Sequence, residues 1–119
     1  MKSIVLPDSM TIIDDNTFYN CKNLIDVIIP KGVTRIGKSA FEWCTDLTTI
    51  TIQKGLNSIG DRAFSHCKSL KHVILPESVL LICDDVFYDC PDLVICALQN
   101  SYAIKYAQQH NIQYVVINS

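Results

Sequence analysis

Cysteine is the most chemically reactive residue type in this chain, which contains six cysteines. Four of the six recur at every twenty-third position: Cys21, Cys44, Cys67 and Cys90. Thiols stacked at one position of a repeating structure point the same way, which is poor disulfide geometry, and a linear row cannot converge tetrahedrally on zinc. The spacing therefore predicts a column of small buried hydrophobic side chains, and we expect Cys83 and Cys96 to be structural as well.

The three histidines fall into no catalytic or metal-binding pattern. A nucleophilic pair of His66 and Cys67 would need both side chains on one side of the chain, whereas sequence neighbours diverge. His72 lies beside Val73 in a predicted strand, and His110 ends a predicted helix. Phosphate-binding glycine loops, nucleophile elbows and zinc-protease motifs do not occur in the sequence. We therefore expect a protein that is not an enzyme and needs no cofactor or metal.

The charged residues point to no nucleic-acid or membrane partner. Ten Lys and Arg stand against twelve Asp and Glu, a formal charge of −2, so nothing attracts nucleic acid or an anionic membrane surface. Asp84, Asp85, Asp89 and Asp92 lack the spacing and the glycine of a calcium loop, and we interpret them as a solvated turn. Apolar runs are too short for a membrane span or a signal peptide, so we expect a soluble chain, cytoplasmic or a fragment whose export signal lies elsewhere.

The elements that must position these residues recur with one period. The only four phenylalanines, Phe18, Phe41, Phe64 and Phe87, keep the same interval as the four cysteines, and so does a column of leucines that ends at Leu93. Seven such columns agree, which indicates a stack of identical structural units. In each unit the aliphatic pattern Leu-x-x-φ-x-φ predicts a short parallel strand with alternating inward and outward side chains.

The rest of each unit is expected to be short and locally constrained. Val33 to Ile36 predicts a second extended piece, closed by Gly37, where a turn with positive φ would suit glycine. The segment from Ser39 to Cys44 is too short for a free helix and is interpreted as a single helical turn held by Phe41 and Cys44.

These segments resemble the BspA-like class of leucine-rich repeats. The resemblance rests on Ala40-Phe41-x-x-Cys44-x-x-Leu47-x-x-Ile50-x-Ile52 and on the equivalent segment from Ala63 to Leu75, and it covers roughly residues 1–98. It implies an α/β repeat solenoid, a right-handed leucine-rich-repeat superhelix with a parallel strand sheet. We divide residues 1–98 into four repeats of equal length, one period each, at about 5–27, 28–50, 51–73 and 74–96.

The two ends of the solenoid differ. Residues 99–119 predict a C-terminal cap: a helix begins after Asn100 or Ser101, buries Tyr102, Ala103, Tyr106 and Ala107, and is followed by a strand from residue 112 to 117. At the other end Met1 and Ile4 fall at the Leu24 and Val27 positions, so the chain opens inside a strand. Because an uncovered strand edge can pair with another chain, we expect either a fragment or self-association through this edge.

The variable outward positions of the strands are the candidate binding surface. Two columns are predicted to face outward: Ser3, Asp26, Thr49, His72 and Ile95, and Val5, Ile28, Thr51, Ile74 and Ala97. Exposed isoleucines are unusual on a sheet that faces only water, and they can mark a partner site or be ordinary β-formers at half-buried positions. The predicted partner-binding residues are Asp26, Ile28, Thr49, Thr51, His72 and Ile74.

Two further features stand outside these columns. Leu80 and Leu81 occupy positions that are mostly polar in the other repeats, and we expect them to pack on the cap or on another molecule. Trp43, the one tryptophan, lies in the turn region beside His66 and Asp89 and could anchor a contact.

We therefore predict a non-catalytic protein-protein interaction or adhesion-type binding module. The resemblance implies a surface protein larger than this chain, extracellular or at the cell surface, that contacts a host or matrix protein; a cytoplasmic location stays open. The alternative is a structural spacer or a self-associating terminal fragment of a longer solenoid. A carbohydrate-binding surface is less favoured, because Tyr19, Trp43 and Tyr88 do not share a column.

Overall fold

The structure, a computed structural model, describes residues 2–117, in which the backbone coils through about five turns of a parallel-strand solenoid. Six longer strands line one face: β1 (Lys2–Val5), β3 (Leu24–Ile29), β5 (Thr49–Ile52), β7 (His72–Ile74), β9 (Val94–Leu98) and β10 (Gln113–Ile117). Four two-residue strands form a second sheet: β2 (Ile12–Ile13), β4 (Arg35–Ile36), β6 (Ser58–Ile59) and β8 (Leu81–Ile82). A single helix, α1 (Tyr102–Gln109), precedes β10. The predicted repeat solenoid with its helix–strand cap is confirmed; Met1 and residues 118–119 lie outside the described range.

The repeat period sets the strand register. In the pair β3 and β5, Val27 lies opposite Ile50 and Ile29 opposite Ile52, so each residue faces its equivalent in the next repeat, and all four are buried. The strands of this face form two hydrogen-bonded sheets, β1–β3–β5 and β7–β9–β10. β7 lies beside β5, where the N–H of Lys71 donates to the carbonyl of Thr48 at 3.3 Å. Alternate residues of the same strands point to solvent, as the two-residue period of a strand requires.

The segment between Gly37 and Cys44 is not a helical turn, so that expectation is wrong. Ser39 and Trp43 have φ values of 54° and 65°, in the left-handed region, which breaks the chain into successive β-turns. Each turn is hydrogen-bonded to the next repeat; the N–H of Phe41 donates to the carbonyl of Ala63 at 2.8 Å. The turns therefore stack on one another as regularly as the strands do.

Phenylalanine rings form a continuous stack inside the solenoid. The ring centroids of Phe18, Phe41, Phe64 and Phe87 are separated by 5.1, 5.2 and 5.7 Å, with neighbouring rings nearly parallel. The two central rings have no exposed surface. Because this spacing is close to the ~4.8 Å between neighbouring strands, the rings and the backbone ladders rise together from one repeat to the next.

Gly37 is required by close packing and not by its φ angle, which corrects the expectation of a positive φ. A Cβ atom at position 37 would lie 2.6 Å from the backbone nitrogen of Asp15 in the preceding repeat. Among the described residues, the glycine with positive φ is Gly55, at 111°.

The register of β9 is shifted by one residue, so the predicted faces of this strand are wrong. Val73 lies opposite Ile95, and Ile74 lies opposite Cys96, one residue short of the period. A one-residue slip exchanges the two faces of a strand. Ile95 and Ala97, expected to face outward, are fully buried, while the outward side of the strand takes Cys96, which is still buried, and Leu98, which is half-buried. Ile95 buries more apolar surface in the core than Cys96 would, which favours this register.

The C-terminal cap closes the phenylalanine stack. The Oγ of Ser101 accepts a hydrogen bond from the N–H of Ile104 and caps α1. The ring of Tyr106 meets Phe87 at 6.4 Å and an angle of 70°, and its hydroxyl donates to the carbonyl of Cys83 at 2.8 Å. The buried face of α1 includes Ile104 where Tyr102 was expected; Tyr102 is half-buried and its hydroxyl accepts from the N–H of Ile82. No helix within residues 2–117 is long and apolar enough to cross a membrane.

Leu80 and Leu81 do not pack on this cap. Leu80 is 69% and Leu81 55% exposed, so the expectation that the cap covers them is wrong. The cap reaches the backbone of β8 by the contact between Tyr102 and Ile82, and it leaves both leucine side chains outside.

Replacing Phe64 with alanine should remove most of the stability of the domain. Truncation of a buried phenylalanine typically costs ~3–5 kcal/mol, against total stabilities of ~5–15 kcal/mol. Urea unfolding followed by circular dichroism should show a large fall in the midpoint for Phe64→Ala and little change for Tyr19→Ala, an exposed aromatic in the turns. An unchanged midpoint for Phe64→Ala would show that the ring stack does not carry the core.

Candidate partner-binding surface

The six predicted partner-binding residues lie together on the outward face of the strand sheet. Asp26 is opposite Thr49, Ile28 is opposite Thr51, and β7 follows beside β5 with the remaining two residues, His72 and Ile74. Ile28 is 53% and Ile74 56% exposed, whereas Asp26 is half-buried. Neighbouring side chains in such a column are about one strand spacing apart, ~4.8 Å, so the set forms one continuous surface.

This surface becomes more apolar toward the cap. Beyond Ile74 the slipped register of β9 places the half-buried Val94 and Leu98 on the outward side, with the buried Cys96 between them. β10 adds Val115, which lies opposite Cys96 and is 48% exposed. In contrast, β5 presents threonines at its two outward positions. The outward face therefore changes from mixed polar in the middle of the sheet to aliphatic at the capped end.

A groove with a volume of about 790 Å³ lies at the carboxyl ends of β5, β7, β9 and β10. Its apolar lining comes from Ile74, Pro76, Leu98 and Ile117 together with the inner residues Ile52 and Leu75, and its polar lining from Gln53, Lys54, Glu77 and Ser78. Ser78 fixes the wall of the groove, since its hydroxyl donates to the carbonyl of Leu56 and accepts from the N–H of Gly55. An apolar floor with a polar rim is typical of a surface that receives aliphatic side chains of a partner.

Of the residues that line this groove, Ile74 was predicted from the sequence and the others were not. The predicted binding surface ended at residue 74, and the assumed register pointed Leu98 into the core. A signal was present: Leu93-x-Ile95 stands where the earlier repeats have Leu-x-x-φ, so one residue is missing before the strand. That shorter spacing could have indicated the exchange of faces in β9.

A second cluster lies on the turns, where Asn20, Trp43, His66 and Asp89 share one column and all have φ between 60° and 65°. The rings of Trp43 and His66 stack with centroids 4.0 Å apart and an angle of 11°. Nδ1 of His66 lies 2.7 Å from Oδ2 of Asp89, which also contacts Nζ of Lys68 at 3.2 Å. The hydrogen bonds from His66 and from Lys68 hold the pKa of the Asp89 carboxyl below its usual value.

Trp43 occupies a backbone conformation that suits small polar residues. Asparagine and aspartate, the residues at two other positions of this column, enter the left-handed region readily, whereas a bulky residue is a genuine outlier there. The conformation costs roughly 1–2 kcal/mol, and an aromatic stack contributes ~0.5–1.5 kcal/mol. The stack on His66 therefore offsets part or all of the cost of this backbone conformation.

The cysteine column contains buried hydrogen-bonded thiols. Three of its four Sγ atoms donate to the carbonyl of the phenylalanine 26 residues earlier: Cys44 to Phe18 at 3.1 Å, Cys67 to Phe41 at 3.1 Å and Cys90 to Phe64 at 3.0 Å. Burial raises the pKa of Cys44 and of Cys90 to about 12 and raises that of Cys67 as well. Since the thiolate is the reactive form, none of these thiols is suited to nucleophilic chemistry or to binding a metal.

The histidine–aspartate pair has no nucleophile to activate. The hydroxyl of Ser65, next to His66 in sequence, is fully buried and donates to the carbonyl of Asp85 at 2.6 Å. The thiol of Cys67 is directed into the core, as described above. Within residues 2–117 no group of three His, Cys, Asp or Glu side chains is placed to hold a metal ion.

Comparisons with known proteins agree with this architecture. The sequence profile of the family described as "BspA type Leucine rich repeat region" matches residues 1–114 in six copies. No curated protein matches the chain.

Several solved bacterial structures have the same fold. A leucine-rich cell surface protein from Faecalibacterium prausnitzii A2-165 superposes with a TM-score of 0.79 at 24% identity, over 98% of this chain and 32% of that one. The leucine-rich repeat protein of T. pallidum gives 0.61 at 30% identity, over 79% and 57%. The pneumococcal vaccine antigen PcpA gives 0.69 at 22% identity, over 82% and 30%. The chain thus spans about a third of the F. prausnitzii protein.

Alkylation of the native protein should discriminate sharply among the cysteines. Cys44 and Cys67 are buried and hydrogen-bonded, while Cys21 and Cys83 are partly exposed. Under limiting iodoacetamide near neutral pH, peptide mass spectrometry should find Cys21 and Cys83 modified well before Cys44 and Cys67, and all of them modified after denaturation. Early modification of Cys67 in the folded protein would contradict the assigned hydrogen-bonded column.

The same column should make the domain sensitive to alkali. The folded-state pKa of Cys44 and Cys90 is raised from 9.0 to about 12, so their stabilising contribution is complete below pH 9.0 and is lost as pH rises toward 12. The free energy of unfolding should fall across this window. A Cys44→Ala/Cys90→Ala variant, less stable at neutral pH, should show a shallower fall; equal slopes would count against the thiols as its cause.

Proposed function

Because this chain belongs to the BspA type leucine-rich repeat family, we propose that it is a non-catalytic module that binds another protein through the outward face of its strand sheet. Proteins of this repeat type are typical protein-interaction modules and are generally non-catalytic. The observation that carries the proposal is the groove at the capped end of the sheet, where Ile74, Leu98 and Ile117 meet in one apolar surface.

The composition of the surface favours a protein partner. Isolated exposed aliphatic residues are normal, but here they are contiguous across β7, β9 and β10, and contiguous apolar surface commonly marks an interaction site. Lys54 and Glu77 stand at its rim with opposite charges. An extended segment with aliphatic side chains, flanked by polar residues, would match both the floor and the rim.

Asp26, Thr49 and His72 form the polar side of the same face. They lie in the outward column next to the one that contains Ile28, Thr51 and Ile74. We infer that the apolar groove supplies most of the binding energy and that this polar column contributes selectivity. This division follows the usual pattern, in which a few desolvated contacts dominate affinity.

We further propose that the module acts at a bacterial cell surface, in adhesion to a host or matrix protein. The related F. prausnitzii protein is described as a cell surface protein and the pneumococcal relative as a vaccine antigen. These descriptions belong to proteins of which the chain spans only a part, and they support the proposal by likeness of fold.

A second function, as a spacer that stacks end to end, is favoured by the strand edges. Val5 of the edge strand β1 is 90% exposed, and β10 at the other edge exposes Tyr114, Val115 and Val116. Unpaired strands with such side chains can add a further strand from another chain. Concentration-dependent growth into chains, measured by analytical ultracentrifugation, is the outcome that would favour this alternative.

Charge placed on the groove should abolish partner capture. Thr51→Lys/Ile74→Lys puts two charges on the proposed surface, and Ile12→Lys/Leu81→Lys puts two on the second sheet, where both residues are also exposed. The expected result is that wild type and the second variant retain the same protein from cell-surface or matrix extracts, while the first variant binds it at least about tenfold more weakly.

Both variants add two positive charges, so a difference in binding between them reports where the charges lie and not how many there are. Circular dichroism must first show that both remain folded. If the groove variant retains the partner as well as wild type does, the assigned surface is wrong. If none of the three proteins captures anything but its own chain, the protein-binding proposal fails and stacking takes its place.

A further inference from the structure

The indole ring of Trp43 is partly exposed on the turn side of the solenoid, in the column between Asn20 and His66. In its column His66 covers one face by stacking at 4.0 Å. The other face points toward Asn20 in the preceding turn, to which the backbone is joined by the hydrogen bond from the N–H of Asn20 to the carbonyl of Glu42 at 2.8 Å. An asparagine side chain is much shorter than an indole, so it leaves the outer part of that face uncovered, in keeping with the partial exposure of Trp43.

The ring is also held in position before any ligand arrives. His66, behind it, is anchored by the 2.7 Å contact with Asp89, and Lys68 contacts the same carboxylate at 3.2 Å. Edge-on packing of Tyr88 against His66, with centroids 5.5 Å apart, fixes the imidazole from the side. The indole thus rests on a supported stack, although its left-handed backbone is unfavourable for a bulky residue.

The residues next to Trp43 in the column and in the sequence are polar. Asn20 precedes it in the column; Tyr19, which is 48% exposed, and Glu42 are the sequence neighbours of Asn20 and Trp43. The four residues of the turn column include no aliphatic side chain that would help to desolvate an apolar partner. Such a site combines one flat π-surface with hydrogen-bond donors and acceptors at its rim.

We propose that this face of Trp43 is a binding platform for the pyranose ring of a neutral carbohydrate. The C–H groups on one side of a pyranose carry partial positive charge and pack on the negative face of an aromatic ring. The sugar hydroxyls would exchange hydrogen bonds with the amide of Asn20, the carboxylate of Glu42 and the hydroxyl of Tyr19. The platform lies on the turns and is separate from the groove on the strand sheet, so it does not depend on the protein-binding proposal.

Trp43 is the one tryptophan in the chain, so its fluorescence reports on this site alone. The intact chain is titrated with four tetrasaccharides: β-1,4-linked glucose, β-1,4-linked N-acetylglucosamine, β-1,4-linked mannose and α-1,4-linked glucose. A saturable change in emission intensity or wavelength, reached at millimolar concentrations with at least one sugar, is the expected result. If none of the four changes the emission up to their solubility limits, the proposal is overturned.

Matched variants separate the platform from the rest of the surface. Trp43→Asn introduces asparagine, which already adopts the same left-handed conformation at position 20, so the variant should fold. On an affinity gel of the sugar that binds, it should be retained at least about tenfold less than wild type. Tyr114→Asn removes an exposed aromatic elsewhere, and Ile74→Lys alters the groove; both should be retained like wild type. Undiminished retention of Trp43→Asn would refute the assignment of the platform.

Discussion

The rest of this structure depends on one constraint: every layer of the solenoid must rise by the same distance from one repeat to the next. The strands, the turns and the phenylalanine rings must all advance by one strand spacing per repeat, and the ring separations of 5.1 to 5.7 Å show that they do so. The thiol column belongs to the same arrangement, because three of its four Sγ atoms donate to a phenylalanine carbonyl one repeat back. A side chain of different volume in either column would disturb the layers on both sides, since a repeat contacts only its neighbours.

This constraint leaves function to the positions that the stacking does not use. On the strand sheet those are the outward residues, and their character changes where β9 loses one residue and places the half-buried Leu98 on the outward side. On the turns they are the left-handed positions, occupied by Asn20 and Asp89 but also by Trp43 and His66. Both proposed sites therefore lie where one repeat departs from the others, and the regular repeats form the rigid support beneath them.

The chemistry of the two sites differs because their surroundings differ. The groove beside Ile74 has an aliphatic floor, which gains free energy mainly by removing apolar surface from water and so suits a protein segment. Trp43 has one flat ring among polar groups, which suits a small ligand with a C–H face and hydroxyls. The side chains of Ser65 and Cys67, the sequence neighbours of His66, are buried and donate to backbone carbonyls, and the contact of His66 with Asp89 supports the ring of Trp43.

The sequence by itself determined the period, and with it the solenoid, the columns from Phe18 to Phe87 and from Cys21 to Cys90, and the cap that begins at Ser101. Those features follow from side-chain types that recur at one spacing, because repeats of equal length bury their apolar faces by stacking on one another. Three features were decided only by the tertiary structure. The register of β9 depended on whether Ile95 or Cys96 filled the core, a competition that local pattern does not resolve. The segment before Cys44 has the spacing of a helical turn, but hydrogen bonds to the next repeat hold it in left-handed turns. The groove and the stack of Trp43 on His66 are formed by side chains of different repeats. These side chains are far apart in sequence and come together only when the repeats stack.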